Sequence, residues 1–218
     1  MDHRLSRPTV LQRGLFALGA LLSVAIALVS YRYLVPGVLA PEGVAANGFV
    51  MPWLPMHATA AATALLAAPL QFRAQLRARR PGVHRWLGRL YVTGCLIGAV
   101  TGLVLAFGAS SGPVSTLGFG ALALVWGVAT GRAWRLARRR DFVAHREWMI
   151  RSFALTFAAV TLRLYLPIAQ LLPVEFDDAY RAISFLCWVP NLVVAEAYLR
   201  RKRRARTTLD CDERARRT

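Results

Sequence analysis

Hydrophobic side chains form six long runs, separated by short segments that carry proline, glycine or arginine. The runs cover approximately residues 11–35, 53–72, 86–107, 114–134, 148–166 and 183–199. An α-helix needs about 20 mostly apolar residues to cross the hydrocarbon core of a bilayer. Each run is therefore predicted to be a membrane-spanning helix. Prolines lie at or just beyond four run ends, where they end or begin a helix without breaking its interior.

This pattern predicts an all-α integral membrane bundle of six transmembrane helices, with a four-helix core made of spans two to five. Residues 1–10 are expected to form a cytoplasmic N-terminal segment and residues 11–199 the membrane domain. Residues 200–218 are expected to be a disordered, polybasic cytoplasmic tail. The first run is too long for the apolar part of a signal peptide, so it is predicted to remain as span one.

The charge of the chain supports this topology. The formal net charge is +17, from 28 Lys and Arg against 11 Asp and Glu, although 56% of the residues are hydrophobic. Of the 28 basic residues, 25 lie before span one, between spans two and three, between spans four and five, after span six, or within the adjoining four residues of these spans. Loops rich in Lys and Arg stay cytoplasmic. We therefore expect both termini in the cytoplasm and basic loops that contact anionic lipid, with no role in binding nucleic acid.

Span five carries polar residues along one face. His145, Ser152, Thr156 and Arg163 fall on one stripe at 3.6 residues per turn. Because ionisable groups inside a bilayer are costly, this stripe is predicted to face the interior of the bundle.

Span three has a matching stripe, which contains His84, Tyr91 and Cys95. Gly94, Gly98 and Gly102 repeat at small-xxx-small spacing on the same helix. Two interpretations are open: the glycines allow close helix packing, or their missing side chains make room for a flat ligand beside His84.

Several short motifs occur in order along the chain. They are His57, Pro-Leu-Gln-Phe at 69–72, His-Arg-Trp-Leu-Gly-Arg at 84–89, His-Arg-Glu-Trp-Met-Ile-Arg-Ser at 145–152 and Thr-Leu-Arg at 161–163. Together they resemble a bacterial family of predicted multi-pass membrane proteins, domain of unknown function 2306, over residues 53–196. The resemblance implies a bacterial inner (plasma) membrane location. It brings no established activity, so it assigns no catalytic residue.

His84 and His145 are predicted to lie at the cytoplasmic ends of their spans, at a similar depth. Two facing imidazoles could act as axial ligands of one haem b, the only metal site the sequence suggests. The arrangement is similar to that of membrane b-type cytochromes, although span four has no histidine and a second haem is not supported. The alternative is a non-enzymatic protein, such as a small transporter or a membrane-complex assembly partner, in which these residues have structural or lipid-contact roles.

His57 and Arg163 are predicted to lie near the outer ends of their spans. They could form a pocket for an anion or a quinone, and a quinone or redox partner would fit the haem hypothesis. Alternatively, Arg163 extends outward past Pro167 to reach water. In span six, the Pro190-Asn191 pair predicts a helix interruption whose freed backbone groups need partners. Glu196 is expected to pair with Arg151 or another inner arginine, and a proton-relay carboxylate is the alternative.

Overall fold

The computed structural model describes residues 9–35 and 42–215, and this part of the chain is built from helices and short connections. The α-helices are α1 (Val10–Ser30), α2 (Glu42–Ala45), α3 (Val50–Gln71), α4 (Ala74–Arg79), α5 (Pro81–Phe107), α6 (Pro113–Arg138), α7 (Phe142–Thr156), α8 (Ala158–Gln170), α9 (Phe176–Leu186) and α10 (Val189–Ala215). A 3-10 turn, Tyr31–Leu34, follows α1. The all-α prediction is confirmed.

Five helical segments are long and apolar enough to cross a membrane: Arg13–Leu34, Pro81–Phe107, Pro113–Arg138, Phe142–Gln170 and Phe176–Ala205. The second predicted span corresponds to α3, which has 22 residues but is less apolar because it contains Pro55, His57, Thr59, Thr63 and Pro69. It packs between α1 and α5 and thereby completes the bundle. The structure is a membrane helical bundle whose buried core comes mainly from α3, α5, α6 and α7, as predicted, with a contribution from span six.

The glycine stripe of α5 brings this helix close to its neighbours. An added Cβ at Gly94 would lie 2.7 Å from the Ala60 carbonyl oxygen of α3, and one at Gly98 would lie 2.7 Å from the Trp126 ring. An added Cβ at Gly102 would lie 2.9 Å from the His57 ring. The close-packing interpretation is therefore confirmed. Room for a flat ligand beside His84 does not follow from these glycines, because α3 and Trp126 already fill the space.

Spans five and six are each interrupted near the middle. Span five divides into α7 and α8 at Phe157, and span six divides into α9 and α10 at Cys187 and Trp188. The Cys187 carbonyl accepts hydrogen bonds from the Thr161 hydroxyl and from the Asn191 amide, the latter at 3.0 Å. The predicted interruption before Pro190, with partners for the freed backbone groups, is confirmed.

The two ends of the bundle differ in charge. The arginine-rich end carries α4, the connection between α6 and α7 and the last part of α10. The arginine-poor end carries the connections at 42–49, 108–112 and 171–175. Residues 200–215, predicted to be disordered, instead continue α10 as helix. Residues 1–8 of the predicted N-terminal segment lie outside the described residues.

Candidate functional site

A cavity of about 270 Å³ occupies the arginine-poor half of the bundle. It reaches from Tyr33, Asn47 and Ala109 near that end to Leu65 and Trp126 in the middle of the bundle. Its wall is mostly apolar and is shared by α1, α3, α5, α6, α7, α8 and α9 together with nearby connections. Small-molecule sites have this character: apolar walls with a few polar groups, at the junction of several elements.

Arg163 of α8 lines this cavity. Its Nη1 donates a hydrogen bond to the Ala159 carbonyl, at 3.1 Å, one turn back along the helix. The side chain thus lies along α8 towards the middle of the bundle, and the prediction that it extends outward past Pro167 is wrong. No carboxylate of the described residues pairs with it. An arginine charge in an apolar setting is costly when it is unpaired, so Arg163 is a candidate functional residue.

His57 of α3 lines the same cavity. Its Nδ1 lies 2.9 Å from the carbonyl oxygen of Gly98 in α5. A carbonyl only accepts hydrogen bonds, so Nδ1 carries a proton and donates it to Gly98. The ring fits against Gly102, where an added Cβ would approach its Cε1. The Nε2 atom has no hydrogen-bond partner among the described residues, so it is available to a ligand.

A layer of buried hydroxyl groups lies at the deep side of the cavity. The Tyr91 hydroxyl is 2.9 Å from both Ser152 Oγ and Thr156 Oγ1, and Thr130 Oγ1 is 2.7 Å from Ser152 Oγ. Trp126 Nε1 donates to Thr156 Oγ1 at 2.9 Å. The stripes predicted on spans three and five therefore face each other, and their hydroxyl groups form hydrogen bonds with one another in the core.

His84 and His145 lie on the other side of this layer, at the arginine-rich end. Nδ1 of His145 donates to the Ala133 carbonyl at 2.9 Å. Nδ1 of His84 is buried without a hydrogen-bond partner among the described residues. Neither residue lines the cavity, so the structure places the two predicted sites in different halves of the bundle.

An ion pair holds helices together at the arginine-rich end. Arg151 of α7 donates to Glu196 of α10 from Nε at 2.5 Å and from Nη2 at 3.1 Å, which confirms the predicted pair. Trp148 packs against two guanidinium groups, from Arg132 at 4.8 Å and Arg151 at 4.7 Å from the ring centre. These contacts satisfy the Arg151 charge inside the protein.

Sequence reasoning missed several residues of the cavity. Trp126, Tyr180, Asn47 and Tyr33 come from four different segments, and each looks like an ordinary interfacial or packing residue in the sequence. One signal pointed to Trp126: a glycine stripe on α5 implies that something bulky packs against it. No comparable pattern marks the others.

The fold and these contacts define the class of protein: a multi-pass membrane protein with a helical core and a mostly apolar cavity within its helical bundle. The family model for a predicted membrane protein (DUF2306) matches residues 54–199, well over half of the chain, and the chain belongs to this family. The resemblance predicted from the motifs is thus confirmed. No curated protein and no solved structure matches the chain.

Proposed function

We propose that this protein binds a small amphipathic molecule in the cavity and that Arg163 and His57 contact its polar group. One observation carries the proposal: Arg163 of α8 and His57 of α3, together with Arg32 after α1, line one otherwise mostly apolar cavity. Arg163 offers donors that no described carboxylate takes up. A ligand with an acceptor group would satisfy them, while its apolar part would cover the walls.

Two ligand chemistries fit these polar groups. An anionic head group would neutralise the Arg163 charge and accept its hydrogen bonds. A quinone carbonyl would also accept hydrogen bonds, although it would leave the arginine charge uncompensated. Decanoate and decylubiquinone represent these two chemistries with tails of the same length.

Thermal unfolding of the purified protein in lipid nanodiscs tests the proposal. A molecule that binds only the folded state raises the unfolding temperature as its concentration increases. We expect at least one of the two probes to do so. Ala159→Leu should remove the effect, because it adds a side chain into the cavity beside Arg163.

The matched control is Ala137→Leu, a half-buried alanine of α6 that is not among the cavity residues. It should keep the ligand response of the wild type. If neither probe shifts the unfolding of the wild-type protein, or if Ala159→Leu responds as the wild type does, the proposed function is wrong.

A haem b held by His84 and His145 is a second candidate. Imidazoles that ligate metals usually donate their other ring nitrogen to a carbonyl or carboxylate, and His145 Nδ1 does so to Ala133. In that arrangement Nε2 of each histidine would face the iron, and the group would supply one-electron transfer. Neither histidine lines the cavity described above, so that cavity does not support haem binding by this pair.

An absorption spectrum tests the haem candidate. Protein produced with haem available should show a reduced-minus-oxidised Soret change that both His84→Ala and His145→Ala remove. His57→Ala is the control and should keep the spectrum. A folded, colourless preparation would rule this candidate out and would leave the cavity proposal untouched.

We also propose that the arginine-rich end faces the cytoplasm of a bacterial cell and that the inner membrane is its location. The distribution of Lys and Arg supports this orientation, and the arginines of 200–204 would then lie against anionic lipid headgroups. Reporter fusions at residue 111 and after residue 218 test it. The first should report a periplasmic and the second a cytoplasmic position; the reverse result would contradict the proposal.

A further inference from the structure

The charged groups of the cavity all have the same sign. Arg32 and Arg163 are the charged side chains among its described lining residues. None of the described lining residues is acidic. By contrast, the third arginine at this end, Arg181, pairs with Asp178 at 2.7 Å and does not line the cavity. The cavity therefore favours anions and disfavours cations.

The guanidinium of Arg163 keeps its best anion-binding edge available. Only Nη1 is engaged, by the Ala159 carbonyl, and Nη2 and Nε have no partner among the described residues. These two nitrogens form one side of the guanidinium fork, which matches the two oxygens of a carboxylate. Nε2 of His57, at comparable depth on α3, accepts a hydrogen bond while Nδ1 holds the ring proton, and it donates one to a carboxylate only when the ring is doubly protonated.

The apolar part of the cavity lies deeper than these polar groups. Leu155 is four residues before Ala159, whose carbonyl accepts the Arg163 hydrogen bond, so Leu155 lies about 6 Å closer to the middle of the bundle than that guanidinium. Leu65 and Trp126 line the same deep region. The polar groups Tyr33 and Asn47 lie instead near the arginine-poor end. A ligand of matching polarity would hold its head group near that end and its tail towards Trp126.

We propose that the ligand is a carboxylate amphiphile, with its head group on the Arg163 fork beside His57 and its apolar tail reaching Trp126. This inference rests on the ligand-binding cavity proposed above and specifies its chemistry. A single carboxylate matches the one free arginine fork, with the His57 ring beside it. A phosphate monoester with two charges needs more donors than these two side chains provide, and a neutral quinone leaves the arginine charge uncompensated.

Binding of matched probes tests the head group. Decanoate, decanol, decyl phosphate and decyltrimethylammonium share one tail, and their affinities for the protein in nanodiscs can be compared after subtraction of binding to empty nanodiscs. We expect decanoate to bind at least about tenfold more tightly than decanol, and Arg163→Gln to abolish this preference. Arg181→Gln, which removes an arginine at the same end but outside the cavity, should preserve it.

Quenching of tryptophan fluorescence tests the orientation of the tail. Bromine at carbon 10 of decanoate should quench a component of the emission that is missing in Trp126→Phe, whereas bromine at carbon 2 should quench this component much less. Phenylalanine keeps most of the packing volume beside Gly98. Because six tryptophans emit, the difference between the wild type and the variant gives the Trp126 contribution.

The outcomes separate this inference from the broader function. Equal affinities for decanoate and decanol, or tighter binding of decyl phosphate, would overturn the carboxylate assignment while leaving a ligand-binding cavity. Stronger quenching by the carbon-2 bromide would overturn the proposed orientation. If no probe binds the wild-type protein, or if Ala159→Leu leaves the binding of every probe unchanged, the proposed function is wrong.

Discussion

The two halves of span five deal with an arginine inside the bundle in opposite ways. In the arginine-rich half, Arg151 meets Glu196 in a two-point ion pair and packs against Trp148. In the arginine-poor half, Arg163 bonds one backbone carbonyl and lines a cavity, with no described carboxylate as partner. The same residue type, twelve positions apart on one span, thus has a structural role in one place and an exposed donor edge in the other.

Under the proposed function, this difference separates stability from ligand binding along the span. A paired arginine ties α7 to α10, so its charge contributes to the fold. An unpaired arginine weakens the fold, and the proposed ligand would pair with it. Between the two lies the hydroxyl layer around Tyr91, which closes the deep side of the cavity and joins α5 to α7.

The largest effect is expected from breaking the Arg151 pair. Glu196→Leu leaves a guanidinium whose side chain is only 12% exposed without its carboxylate. We expect a loss of about 2–3 kcal/mol in the free energy of unfolding, less than for a fully buried pair because Glu196 is 34% exposed. Unfolding in mixed detergent micelles measures it.

The matched control for this change is Glu147→Leu, which removes the partner of Arg203 at the same end of the bundle. That arginine is largely exposed, so water replaces the carboxylate and the loss should be clearly smaller. Equal losses of unfolding free energy in the two variants would show that the Arg151 pair stabilises the fold no more than the exposed Arg203 pair does.

A smaller effect is expected at the hydroxyl layer. Tyr91→Phe removes a hydroxyl that lies within hydrogen-bond distance of both Ser152 and Thr156, in a side chain that is 1% exposed. We expect the protein to lose about 1 kcal/mol in the same unfolding assay, since Ser152 keeps Thr130 and Thr156 keeps Trp126 as partners. Phe107→Leu, at an exposed end of α5, is the control. A loss as large as that of Glu196→Leu would mean that this layer stabilises the fold as much as the ion pair does.

The smallest effect, and one of opposite sign, is expected at Arg163. Arg163→Leu removes an unpaired charge from the cavity of the ligand-free protein, so the free energy of unfolding should rise by about 0.5 kcal/mol. The stabilisation by decanoate should disappear in the same variant. A loss of more than about 1 kcal/mol without ligand would mean that Arg163 supports the fold as Arg151 does, and the comparison between the two arginines would fail.

Much of the architecture could be predicted from the sequence, because span length, hydropathy and the distribution of arginine are properties of single segments. The polar stripes on spans three and five were predictable too, since helical periodicity decides which side chains share a face. The Arg151–Glu196 pair could be predicted because opposite charges lie near the arginine-rich ends of spans five and six. The continuation of α10 through residues 200–215 did not follow, because a basic composition is compatible with both helix and disorder.

The cavity depends on the packing of many segments at once. His57 and Arg163 are more than a hundred residues apart, and their shared cavity arises because Gly98 and Gly102 let Trp126 and His57 pack against α5. Whether Arg163 turns outward or back along α8 depends on that space, which no local pattern encodes.

The sequence by itself therefore determined the class of protein, the polar faces of its helices and the residues on which chemistry could rest. Only the tertiary structure decided which of those residues meet: His57 and Arg163 at one cavity, and His84 and His145 beyond a layer of hydroxyl groups. The physical reason is that periodicity fixes the direction of a side chain within its own helix. Its neighbours are fixed by the way separate helices pack.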